Sequence, residues 1–91
     1  MLHSRPDYDR IQDPAGLIAD DEPVFLIRAK DLAAVPTVRA YAQFAERVGA
    51  KMNIIDSARA WAEEMERWQQ EHQLIVKVPD LPKEADELAI D

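Results

Sequence analysis

The chain has 91 residues, 47% of them apolar and 32% charged, with no cysteine and a formal net charge of −7. Such a length makes one domain of modest stability, because a chain this short buries only about 60% of its unfolded surface. The lack of cysteine excludes disulfides, thiol catalysis and thiolate metal sites, and no apolar run approaches the roughly 20 residues that a membrane span needs.

The charge is unevenly spread. Residues 1–22 hold six acids and two bases, residues 80–91 five acids and one base, and residues 23–79 seven acids and eight bases. These segments carry −4, −4 and +1, so two acidic arms flank a nearly neutral body. A body without a basic face is not built to bind DNA by charge.

Residues 1–22 read as an N-terminal arm. Pro6, Pro14, Gly16 and the aspartates interrupt regular structure, and "GLIAD" has room for a single turn. The opening "MLHSRPDYDR" lacks an apolar stretch, so no secretory signal is expected. The folded domain is expected over residues 23–79. Its first element, about 24–30 in "VFLIRAKD", reads as a short strand. Alternation then places Val24, Leu26, Arg28 and Lys30 on one face, and Phe25, Ile27 and Ala29 on the other. A helix begun at Asp21, with Pro23 in its first turn, is the alternative.

Asp31 is expected to end that element and cap a turn through "LAAV". Pro36 fits the first position of a helix, and Gly49 fits its stop, giving a helix over 36–49. Its apolar positions are Val38, Tyr41, Ala42, Ala45 and Val48, with Phe44 at the margin. A second helix is expected over 53–72, with Asn53 as its cap and Asp56 three residues on. Ile54, Ala58, Trp61, Met65 and Trp68 recur at alternating steps of four and three, a heptad seam. Arg59, Glu63 and Arg67 form a solvated ladder on the opposite face.

The short linker "AKM" makes these two helices an antiparallel hairpin, with indoles of the second facing alanines of the first. Residues 74–78, "LIVKV", read as a second short strand able to pair with "VFLI" within the chain or across a dimer. Residues 80–91 form an acidic C-terminal tail. The fold class is therefore mainly α.

Catalytic chemistry has little to work with. Ser4, Ser57, His3 and His72 offer no nucleophile with a base in reach. No pair of histidines or carboxylates stands at metal-ligand spacing around His72, which reads as a C-terminal helix residue facing the dipole. Glu63, Glu64 and Glu66 crowd one turn, but the first helix has only Glu46 to set against them. Asp7 and Asp9 lack the further ligands of a Ca²⁺ loop. No enzyme activity, metal or cofactor is expected.

Two groups of residues suggest binding. Arg28 and Lys30 on one strand face would suit a phosphate or a partner's carboxylate, with Tyr8 or Tyr41 stacking on a base; the plainer reading is a strand end kept in water. Trp61 and Trp68 are either core of the hairpin or, if it is half exposed, interface anchors. The supply of large apolar residues exceeds what a two-helix body covers, so a homo-oligomer is expected.

The segment "DPAGLIADDEPVFLIRAKDLAAVPTVRAYAQFAERVGA", followed by "WAEEMERWQ", resembles small uncharacterised proteins of bacteriophages and prophages, in which an arm precedes an "EPVF-L-RA-D" segment, a "VR-YA" helix and a helix ending in "W". The resemblance covers residues 13–72. It implies a short accessory protein of the kind aimed at host defence, with no binding residue to carry over; the lack of cysteine fits a reducing cytosol, so a cytoplasmic location in a bacterial host is expected. The leading expectation is a non-enzymatic inhibitor that blocks or sequesters a host protein. Alternatives are an oligomeric sponge holding a signalling (cyclic) nucleotide between subunits, and a structural or assembly accessory.

Overall fold

The computed structural model describes residues 2–3 and 13–80. Two helices dominate: α1, Ala34–Arg47, and α2, Met52–Glu71, which pack against each other as a helical hairpin. The chain divides into two compact units, and both helices belong to the unit Ile27–Pro79.

The helix ends show how the sequence builds the hairpin. α1 begins two residues earlier than Pro36 suggested, so proline is its third residue. It remains within the first turn, where its missing N–H has no intrahelical partner to lose. Asp31 prepares this start: its Oδ1 accepts from the Ala33 N–H at 2.6 Å, and its carbonyl accepts from Ala34 at 3.0 Å. At the far end, Gly49 takes φ +83° and donates to Glu46 O at 3.1 Å, while Ala50 donates to Ala45 O at 2.9 Å. This is a Schellman stop, and it needs the left-handed conformation that glycine adopts without penalty. α2 then starts from Lys51 in extended conformation, so Asn53 is the second helical residue rather than the cap.

The seam between the helices corrects the expected one. Ile55, Ala62 and Met65 are buried on α2, with Ala58 partly so, and Val35, Ala42 and Ala45 are buried on α1, with Val38 partly so. The heptad repeat is present, but alternate positions shift by one residue: Ile55, Ala58, Ala62 and Met65 form the seam, continued by Gln69, in place of Ile54, Ala58, Trp61, Met65 and Trp68. Small residues decide this. Alanines at 42, 45, 58 and 62 let the helices approach closely, and an indole pointed between them would hold them apart. Trp61 therefore lies outside the seam.

Two small apolar clusters result. Ala34, Val35 and Met65 pack with Ile27, Ala29 and Val38; Ala42, Ala45 and Ile55 pack with Ala50 and Ala58. Ile55, 1% exposed, is the largest fully buried side chain among the described residues, and its burial contributes about 2 kcal/mol.

The expected strands are much shorter than the sequence suggested. Of residues 24–30, only Val24 lies in a strand: Pro23–Val24 pairs in parallel with Leu2–His3. The chain then turns, with the Asp31 N–H donating to Arg28 O at 3.0 Å. That turn ends the alternation on which a common face for Arg28 and Lys30 depended. Residues 74–78 contribute one parallel bridge, Asp31 to Lys77. Leu32 donates to Lys77 O at 2.9 Å, and Lys77 donates to Lys30 O at 3.0 Å. The two segments thus meet within one chain, but by a single bridge.

In the other unit, Asp13 organises a turn. Its carboxylate accepts from the N–H groups of Leu17 at 3.1 Å and Ile18 at 3.0 Å, and Gly16 takes φ +62°. At least one acid of the N-terminal arm therefore has a structural task.

Candidate functional site

With the seam correctly phased, each helix has two flanks beside it, and the flanks differ in chemistry. One is ionic. Arg39 donates to Glu66 Oε2 at 2.9 Å, and Arg59 donates to Glu46 Oε2 at 3.0 Å, so two bridges span the hairpin on that side. Arg59 reaches across to α1 instead of along the expected ladder, and Arg67 pairs with Glu64.

The other flank carries Tyr41 and Val48 from α1, and Ile54, Trp61 and Trp68 from α2, each set spaced by seven residues. The ion pairs occupy the opposite side of the hairpin, so both sets fall on the same flank, with Tyr41 and Trp61 each near the middle of its helix. None of these five is charged. Trp61 is 62% exposed, Tyr41 57%, Val48 83% and Ile54 46%. Phe44 adjoins the flank on α1 and is exposed too, with the Arg47 guanidinium 5.2 Å above its ring. Trp68 closes the flank at the end of α2. It is half buried and stacks on His72, with ring centroids 4.1 Å apart and planes 16° from parallel. His72 Nδ1 donates to the Trp68 carbonyl at 2.8 Å, which ties the ring to the last turn of the helix.

Sequence reasoning missed Gln69. Its Nε2 donates to the carbonyls of Ala29 and Asp31, both at 2.9 Å, and so fastens the segment entering α1 to the last turns of α2. The signal was a polar residue at a seam position, visible only in the correct phase. Gln69 also lines an open groove of about 380 Å³ with Leu32, Glu66, Gln70, Gln73 and Val76. That lining holds amides and one carboxylate but neither Arg28 nor Lys30.

Of the residues singled out from the sequence, Tyr41, Trp61 and Trp68 fall on the apolar flank. Arg28 is exposed and Lys30 half buried, on the turn that precedes α1, remote in sequence from the flank. Tyr8 lies outside the described residues. Among the described residues, no group of three or more histidines, aspartates or glutamates is placed to hold a metal ion, and no helix is long and apolar enough to cross a membrane. In comparisons with known proteins, no family model, curated protein or solved structure matches this chain.

Proposed function

We propose that this is a non-enzymatic binding protein, whose helical hairpin docks its apolar flank against another protein surface. The observation that supports this reading is the reversal of size between core and flank. Among the described residues, four of the seven buried core residues are alanines, whereas Tyr41, Val48, Ile54 and Trp61 are exposed on one flank. Contiguous exposed apolar surface of that kind marks an interaction site, and tryptophan and tyrosine are the side chains that dominate binding energy at interfaces. The chemistry is also that of docking: the five flank residues are uncharged, and the His72 ring beside Trp68 is tied to the Trp68 carbonyl.

The setting implied by the sequence resemblance, a short phage accessory protein that blocks or sequesters a host defence component, suits a molecule of this type. A photo-crosslinking amino acid at position 61, incorporated in a bacterial host, tests the reading against the same probe at exposed Glu63. Position 61 should give a discrete protein adduct that reforms from purified components, and position 63 should not. Equal labelling from both positions, or none from 61, would sink the proposal.

A further inference from the structure

Beyond docking itself, we infer that the occupant of the apolar flank is a second copy of this chain, so that two hairpins close into a twofold-symmetric four-helix bundle with Trp61 and Tyr41 near the axis. The inference rests on the reading of the flank as a docking face and names its partner. Three observations carry it.

The first is the width of the apolar stripe. A two-stranded coil needs only the inner seam of each heptad, whereas a helix facing the interior of a bundle carries a third apolar position beside it. Both helices here have that third position, as Tyr41 and Val48 on α1 and Ile54, Trp61 and Trp68 on α2. Each helix is patterned for neighbours on two sides, and the hairpin supplies one. A second hairpin supplies the two missing helices at once.

The second is charge. The chain's −7 lies in its arms, at −4 each, while residues 23–79 sum to +1, so two bodies meet without strong net repulsion provided the touching surface buries no unpaired charge. The flank is such a surface, and the opposite side, with Arg39, Glu46, Arg59 and Glu66 already paired within one chain, is not free to exchange partners without loss.

The third is area. Tyr41, Phe44 and Trp61, each over half exposed, present about 120 Å² apiece, and with Val48 and Ile54 the flank offers about 600 Å² per copy. Two copies then bury about 1,200 Å², the lower end of specific stable interfaces. A twofold contact of this kind uses the same patch on both sides, so Tyr41 and Trp61, each near the middle of its helix, put the largest side chains toward its centre.

Sedimentation equilibrium of the full chain, as wild type, Trp61→Glu and Arg39→Ala, tests this. The wild type and Arg39→Ala should be dimers at micromolar concentration. Trp61→Glu should weaken association at least tenfold with helical circular dichroism unchanged. If Trp61→Glu loses helicity as well, the wild-type melting temperature decides: it should rise with protein concentration, as mass action requires of a folded dimer. A wild type that is monomeric with a concentration-independent melting temperature overturns the inference, as does a Trp61→Glu protein that stays dimeric. A monomer that still gives the position-61 adduct with another protein would retain the docking face and remove only the second copy.

Discussion

The two flanks of the hairpin are built on the same helices and the same heptads, yet they solve different problems. On the ionic side, Arg39–Glu66 and Arg59–Glu46 close the hairpin on itself, with all four side chains about half exposed. Pairs of that exposure contribute between nothing and about 1 kcal/mol each, so their main effect is to fix register and keep that side in water. On the apolar side, among the described residues, no ion pair crosses between the helices. Tyr41, Val48, Ile54 and Trp61 leave their surface unburied, at a cost that a lone monomer gains nothing from. The contrast shows a fold held by a narrow alanine-rich seam, with the bulky side chains standing exposed outside it.

Substitutions in the seam and on the ionic flank should differ in effect accordingly. The largest effect among three tests is expected at the seam itself. Ala62, fully buried, has no room for growth, and Ala62→Leu should destabilise the protein by about 2–3 kcal/mol by forcing the helices apart. Denaturant melts check this, and a neutral result would mean that the seam is looser than described. Next comes Gln69→Ala, which strips the Ala29 and Asp31 carbonyls of a donor at a partly buried site. It should cost about 1–2 kcal/mol and speed amide exchange at Leu32 and Lys77, whose N–H groups form the neighbouring bridge. Exchange rates that stay unchanged there would show that the bridge stands without the glutamine. The smallest change is expected on the ionic flank: Arg39→Ala should shift stability by less than about 1 kcal/mol, with the difference shrinking in high salt. A large, salt-insensitive loss would mean that this flank does more than set register.

Much of the architecture was legible in the sequence. Gly49, the short linker and the two periodic segments specify the hairpin, and the structure contains it. The phase of the seam was not legible by the same means. Ile54 and Ile55 are adjacent, and both candidate seams share Ala58 and Met65, so periodicity alone accepts either. Weighting by bulk selects Trp61 and Trp68; close approach of backbones selects Ala62 and Ile55, and close approach prevails because dispersion falls off steeply with separation. The strand expected over 24–30 failed for a different reason. Its apolar run satisfies β-propensity locally, but the Arg28–Asp31 turn and the Gln69 amide take up the backbone groups that a ladder would have used. The pairing of Pro23–Val24 with Leu2–His3 had no signal, since residues 1–22 read as an arm throughout. Of the candidate site, Tyr41 was read as an apolar helix position able to stack on a base and Trp61 as core or, if exposed, an interface anchor; their shared flank emerged only once the seam was correctly phased.

The central claim is that Ile55 holds the hairpin together while Trp61 faces outward. Urea melts of Ile55→Ala and Trp61→Ala, run on dilute protein and compared with wild type under the same conditions, test it most directly. Ile55→Ala should lose about 3 kcal/mol through the transfer and cavity terms of a buried aliphatic side chain, and Trp61→Ala under about 1 kcal/mol, as expected of a surface substitution. A large loss at Trp61 that persists at all protein concentrations, with little at Ile55, would restore the seam through Ile54, Trp61 and Trp68 and contradict the account.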